Sequence, residues 1–379
     1  MSLISFIRSL RTPSHTPLVT VTISKSRLLY NLNEYQNTFP ELAIAPVLKS
    51  NAYGHGLVPV AQLLDQEKVA FFALDSLHEA LILRKNRIRS PLLILGYTRP
   101  ADIAATKIVN IAFAITSLVQ LEELARVAER TTRLHLKVDT GMHRQGITEN
   151  EIPKAMAIFA QNPRLTLEGV CSHFADADSA DEAFTQQQLH AWERATSLLR
   201  GKFPSIRFFH ISASAGARYA QSIRGNVLRL GLGLYGINAT SVKKLDLQPV
   251  LQLETIISGI KELTEGDCVG YNATYQAHQS RTTATIPVGY FEGIDRRLSN
   301  VGVCKVGESF CPLIGRVSMN ISSLDVSAVP QVSPGDCVIA ISNNPNDPNS
   351  VEHIAQTAGT IPWEILVHIP QHLRRTVVP

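Results

Sequence analysis

Between residues 40 and 235, eight short apolar runs alternate with helix-period stretches. The runs fall at 43–48, 70–74, 91–95, 111–115, 134–138, 167–172, 206–211 and 226–230. Among the helical stretches between them are 57–66, 77–85, 118–130, 152–161, 185–199 and 215–223. Eight β/α repeats in this length specify a (β/α)8 barrel, because doubly wound sheets usually carry fewer strands. Almost every polar or glycine-rich cluster follows one of the runs: Lys49-Ser50-Asn51, Asp75-Ser76, Gly96-Tyr97, Thr116-Ser117, Asp139-Thr140-Gly141, Ser172-His173-Phe174, Ser212-Ala213-Ser214 and Gly231-Leu232-Gly233. In a barrel they share the C-terminal rim, where active sites are built.

After residue 250 the pattern changes to short strand-like segments separated by turns such as Glu265-Gly266-Asp267 and Ser333-Pro334-Gly335-Asp336. One short helix is expected near Val351–Ala358. The fold class expected is therefore α/β, a TIM-type (β/α)8 barrel followed by a mainly β C-terminal domain. The division expected is a flexible extension at 1–17, a barrel at 18–249 and a β domain at 250–379, with a strand at 18–23 able to join the β domain. Length and an ordinary apolar fraction of 45% permit two such units in a globular chain.

Composition excludes several function classes. The net charge is +4, but the basic residues are scattered, and the densest group, Arg84, Lys85, Arg87 and Arg89, reads as a solvated helix end. No nucleic-acid partner is expected. No apolar run reaches the ~18 residues that span a bilayer, and residues 1–8 lack a basic start and a long apolar core. No membrane partner is expected, and the cytoplasm is the expected location. The five cysteines form no Cys-x-x-Cys pair, which suggests a reducing compartment and no metal centre.

Lys49 ends the first barrel run, and its position alone has two readings. Burial lowers a lysine's pKa and makes its amine a nucleophile able to hold an aldehyde as a Schiff base. A strand-end lysine can equally snorkel to solvent.

The run Val47-Leu48-Lys49-Ser50-Asn51-Ala52-Tyr53-Gly54-His55-Gly56 resembles the cofactor-lysine signature of the alanine racemase family. Further motifs of that family follow in order: Lys137-Val138-Asp139-Thr140-Gly141-Met142-His143-Arg144, Cys171-Ser172-His173-Phe174, His210 to Gly216, Arg229 to Gly236, Gly270 to Tyr275, Ile286 to Tyr290 and Gly315 to Asn320. The resemblance runs from about Thr20 to the C-terminus.

It implies a pyridoxal-phosphate (PLP) enzyme that interconverts L- and D-alanine by a two-base mechanism, with D-alanine destined for peptidoglycan. Lys49 would hold PLP and act as base on one face of the substrate. Tyr271 would be the base on the other face, entering from the partner of a head-to-tail homodimer; a free phenol has a pKa near ~10, so this role calls on His173 and Arg229. Tyr53, Ser214, Gly231 and Leu232 would hold the phosphate. Arg144 would face the PLP phenolic oxygen and the substrate carboxylate. Met319 would approach the same carboxylate by its backbone, and Tyr290 would line the substrate entrance. His173 would lie near the pyridine ring, and Arg229 would face its nitrogen. Lys137 would be a carbamylated lysine orienting Arg144, or else an inward-facing barrel residue held by a carboxylate.

Several alternatives to these roles stay open. Tyr53, Tyr271 and Tyr290 could be packing aromatics, and Ser214 a plain helix cap. The enzyme could be a broad-specificity amino-acid racemase, another barrel PLP enzyme or a non-catalytic PLP-binding paralogue. The chain departs from the family pattern at His143 (often glycine), Ala213 (often asparagine) and Asn320 (usually aspartate). Trp363-Glu364-Ile365-Leu366 resembles a final strand, and Gln371 and His372 stand near where relatives place a phosphate-binding tyrosine and an arginine.

Overall fold

The structure is a computed structural model that describes residues 15–239, 242 and 244–379. Most of the expected N-terminal extension, residues 1–14, lies outside the described residues. A first strand, β1 (Thr20–Ser24), precedes eight parallel strands: β2 (Ala43–Pro46), β3 (Phe72–Leu74), β4 (Leu92–Ile94), β5 (Ile111–Ile115), β6 (Thr132–Lys137), β7 (Leu165–Cys171), β8 (Phe208–His210) and β9 (Val227–Leu230).

Strands β3 to β8 form one continuous sheet, and β2 pairs with β9 with Ala45 opposite Arg229. A bridge from Val47 to Ala73 joins the two pieces on one side. On the other, the Asn226 N–H donates to the Phe209 carbonyl at 3.0 Å and the Arg229 N–H to the Ser212 carbonyl at 3.1 Å. The ring therefore closes as a (β/α)8 barrel. Its strands are apolar on both faces, as in Phe72–Leu74 and Ile111–Ile115, because helices cover the outside and packed side chains fill the inside.

The helices start on polar caps placed just after the strands. Ser76 and Glu79 form a capping box on Leu77–Lys85, and Ser117 accepts from the Gln120 N–H on Leu118–Val127. Glu79 also takes the Ser50 N–H at 2.8 Å, so one helix cap steadies the loop that carries Lys49.

The second unit is built on a nine-stranded sheet. β1 lies inside it, antiparallel to β10 (Leu251–Ile256) and parallel to the last strand, Arg374–Val378. Residues 20–24 and 374–378 thus meet in one sheet. The helix expected near Val351–Ala358 is present.

Two elements differ from expectation. Trp363-Glu364-Ile365-Leu366 is helical, within Pro362–Val367, rather than a strand. Pro362 stands at the first helical position, where its missing N–H is no loss and its fixed φ suits the turn. The stretch 215–223 shortens to a 3-10 turn at Ala215–Tyr219. Helices Lys25–Thr38 and Pro100–Ala105 add to the stretches named from sequence.

Candidate active site

A cavity of about 460 Å³ opens at the C-terminal rim of the barrel. Lys49, Tyr53, Lys137, Arg144, His173, Ser214, Arg229, Gly231 and Leu232 all line it. So do Asp75, Cys171 and Trp363, none of which was singled out as a site residue from sequence.

Lys49 begins a turn of unusual hand. Ser50, Asn51, Ala52 and Tyr53 have φ of 56, 57, 52 and 49°. Left-handed backbone costs roughly 1–2 kcal/mol per non-glycine residue, so this turn needs outside support. The Asn51 side-chain oxygen accepts from the Leu57 N–H at 2.9 Å, and its carbonyl from the Gly56 N–H at 2.9 Å. Arg375, on the last strand, donates to the Gly54 carbonyl at 2.8 Å. At Gly54, with φ of 79°, an added Cβ would lie 2.0 Å from the Leu366 carbonyl oxygen, so only glycine fits. Both units of the chain therefore clamp the turn that aims Lys49 and Tyr53. Lys49 itself is half-buried on the cavity wall, rather than sealed in the core.

Tyr53 packs against Tyr235, ring centroids 5.4 Å apart. Burial pushes its phenol up to about 12, against the smaller opposing effects of Arg229 and Trp363, so it remains a hydrogen-bond donor. A Cβ on Gly231 would sit 3.2 Å from the Tyr53 hydroxyl, so glycine admits the close approach. The Ser214 hydroxyl accepts from the Gly231 and Gly233 N–H groups at 3.1 and 3.2 Å. Leu232 opens a 3-10 turn, which leaves its N–H without a carbonyl from its own turn. Tyr53, Ser214 and Leu232 thus form one donor-bearing edge, and Gly231, its N–H taken by Ser214, leaves room for the close approach.

The cations Arg229, Lys137 and Arg144 line the rest of the cavity. Arg229 is buried, 4% exposed, and donates to the carbonyls of Ser172 (2.7 Å), His210 (2.8 Å) and Ile211 (3.0 Å). It also donates to Nδ1 of His210 at 2.6 Å and Nδ1 of His173 at 3.0 Å. None of these partners is a carboxylate. Burial, followed by the charges of Arg229, Lys137, Arg144 and Lys49, pulls His173 down to about 3, so its imidazole is neutral.

Lys137 stands in register with Cys171 and donates to the Gln145 side-chain oxygen at 3.2 Å. Burial lowers its pKa, the Cys171 thiol opposes this, and Arg229, Arg144 and Lys49 lower it further. Its observed partner is an amide, not the carboxylate that a plain structural role led one to expect. His143 adopts φ of 53° and pairs with Asp139 at 3.3 Å, a conformation in which glycine would be unstrained.

Tyr271, Tyr290 and Met319 do not reach this cavity. They are 69%, 44% and 56% exposed on the C-terminal unit. Backbone bonds from Tyr290 to Ser318 and from Phe291 to Met319 hold the last two side by side. Asn320 donates to Glu292 at 2.7 Å and serves that loop. Trp363 lines the cavity, whereas Gln371 and His372 do not.

The donor set fits PLP: a lysine amine for the aldehyde, a donor-rich edge for the phosphate, and a carboxylate-free guanidinium for the ring nitrogen. Two family profiles match the chain, "Alanine racemase, N-terminal domain" over residues 23–239 and "Alanine racemase, C-terminal domain" over residues 250–377. An alanine racemase of Lactobacillus acidophilus is 32% identical over 374 residues, 95% of this chain and 97% of that protein. The solved alanine racemase of Clostridium difficile 630 superposes with a TM-score of 0.90 at 28% identity, covering 96% of this chain and 97% of that one. A histidine racemase from Leuconostoc mesenteroides subsp. sake superposes with a TM-score of 0.87 at 26% identity, covering 97% and 99%. The chain belongs to the alanine racemase family of PLP-dependent isomerases.

Proposed function

We propose that this protein interconverts L- and D-alanine with two bases, Lys49 and Tyr271 of the partner subunit, on opposite faces of the substrate Cα. The observation that carries this reading is the convergence of Lys49, the Tyr53–Ser214–Gly231–Leu232 edge and carboxylate-free Arg229 on one cavity. PLP, when bound, supplies the electron sink that makes the Cα proton labile.

The protein's own groups do the rest. Lys49 would hold the aldehyde carbon and, once freed by substrate, would carry a proton at its Nζ on one face. Tyr53, Ser214, Gly231 and Leu232 orient the phosphate. Arg229 stays charged and only donates, so it would leave the ring nitrogen unprotonated. This arginine would thereby weaken the sink and disfavour reprotonation away from Cα, which is transamination. His173, neutral and bonded to Arg229, takes a place between that arginine and the second base. Arg144 binds the substrate carboxylate, joined by the backbone of Met319, and Tyr290 lines the entrance. Residues 18–249 act in this reading as the cofactor-binding unit, and 250–379 as the unit that presents Tyr271.

The exposure of Tyr271, Tyr290 and Met319 supports a homodimer in this reading. All three are exposed, and Phe291 and Ile321 beside them are 53% and 50% exposed. A head-to-tail copy covers that face and delivers Tyr271 to its neighbour's cavity.

Lys137 is proposed as a carbamate. Its lowered pKa favours the neutral amine, which adds to carbon dioxide and releases one proton. The resulting anion would relieve the crowding of Arg144, Arg229 and Lys49 around it. 13C-bicarbonate is expected to give a carbamate carbon resonance that disappears in Lys137→Ala; an unchanged spectrum removes the assignment.

The substrate assignment is tested by incubating the PLP-loaded enzyme with one L-amino acid at a time and resolving the product on a chiral column. Alanine is expected to turn over fastest. The histidine racemase relative favours a second reading, a broader substrate range, which equal turnover of larger amino acids would establish. The C-terminal unit counts against a plain PLP carrier. Supply of D-alanine to peptidoglycan in the cytoplasm predicts growth rescue of a D-alanine auxotroph.

A further inference from the structure

Arg229 is the inner end of a polar chain that crosses the barrel interior. Beyond Arg229, His210 Nε2 meets His135 Nδ1 at 2.7 Å, and His135 Nε2 faces a Glu168 carboxylate oxygen at 3.8 Å. Glu168 ends the chain at the opposite mouth of the barrel, beside Arg133 at 3.3 Å and Arg207 at 3.8 Å. Neither His135 nor His210 touches the cavity that holds Lys49.

The fold is shaped around this chain. The β6–β7 register slips between Leu134 and His135, so that Leu134 faces Leu167, His135 faces Gly169, and Glu168 is bulged between them. Bulges re-aim side chains. At Gly169 an added Cβ would lie 2.5 Å from His135 Nδ1, so glycine alone makes room for the ring. Phe71 meets that ring edge-on at 5.6 Å, and Phe208 stacks on it at 5.7 Å.

The direction of the chain follows from its two ends. A guanidinium can only donate, so His210 Nδ1 must accept. Neutral His210 then carries its proton on Nε2 and donates to His135 Nδ1. Neutral His135 in turn carries its proton on Nε2, pointing at a carboxylate that can only accept. Burial keeps both imidazoles neutral: it lowers His210, with Arg229 and His135 adding to the effect, and it lowers His135 against the pull of Glu168. Burial would raise Glu168, but His135, Arg133 and Arg207 outweigh it and hold the carboxyl ionised.

We propose that Glu168, His135 and His210 are positioning residues that fix the hydrogen-bonding face of Arg229 from the far end of the barrel. Without an acceptor at 168, His135 is free to move its proton to Nδ1. That sets two N–H groups against each other at His210, or flips His210 so that its own N–H opposes Arg229.

The proposal rests on the role given above to Arg229, and the test separates the two. Holoenzyme labelled with 15N-histidine, assigned through His135→Asn and His210→Asn, is expected to show both rings neutral and protonated on Nε2. A charged ring, or a proton on Nδ1 of His210, overturns the chain. Glu168→Met is expected to disturb the His135 and His210 resonances and to lower kcat about tenfold, the scale for an outer partner of a functional group, with little change in KM. Glu168→Gln, which keeps an acceptor oxygen, is expected to restore both readouts. Glu168→Gln no better than Glu168→Met overturns the chain. If Arg229→Lys slows racemisation while Glu168→Met leaves it unchanged, the chain fails; if neither slows it, the role of Arg229 fails.

Discussion

Alanine in place of Lys49 is expected to abolish racemisation and the absorbance of the lysine-bound cofactor together. The activity loss should exceed the ~10²–10⁴-fold that a positioned acid or base contributes, because in the proposed function the same side chain also holds the cofactor. The fold should survive. Lys49 lies just before the left-handed residues, and the bonds that hold the turn come from Asn51, Glu79 and Arg375. PLP should still bind weakly through Tyr53, Ser214 and Leu232, and equilibrium dialysis would measure that residual affinity. A Lys49→Ala protein that keeps the lysine-bound absorbance would place the covalent lysine elsewhere. Lys137 is the alternative to examine, since it lines the same cavity with a lowered pKa.

What could be read before the structure was local in the chain. The barrel strands are contiguous apolar runs, and each rim cluster follows its own strand, so periodicity placed Lys49, His173, Ser214, Gly231 and Leu232 on one rim, where one cavity takes in all five; Tyr53, Lys137, Arg144 and Arg229 came only with the family motifs. What could not be read depends on distant segments. Ser50-Asn51-Ala52-Tyr53 contains only one residue with a marked tolerance for left-handed backbone, so its hand depends on support from outside, from Glu79 and from Arg375 on the last strand. Trp363 and Ile365 favour strands, but Pro362 at a helix start decided otherwise, and that helix carries Trp363 to the cavity wall. Glu168 sits on a bulge, which breaks the alternation by which an inward residue is recognised. His135 and His210 come together only when non-adjacent strands are drawn around a closed barrel.

Phenylalanine in place of Tyr271 is expected to lower racemisation by ~10²–10⁴-fold, the contribution of one positioned acid or base, while cofactor binding stays unchanged. The separation follows from position, because Tyr271 lies outside its own chain's cavity and contributes nothing to that chain's phosphate edge. The same geometry makes a stronger claim when two inactive proteins are mixed. In a heterodimer of Lys49→Ala and Tyr271→Phe chains, one site combines intact Lys49 from the second chain with intact Tyr271 from the first, and the other site lacks both. Random reassortment of subunits makes half the dimers mixed, each with one working site, so the mixture should recover about a quarter of wild-type activity. Recovery should follow the rate of subunit exchange and vanish when each variant is cross-linked as a homodimer before mixing. No recovery, with exchange shown independently by mass spectrometry of labelled chains, would mean that each site is completed within one chain. The second base would then have to be sought among that chain's own cavity residues.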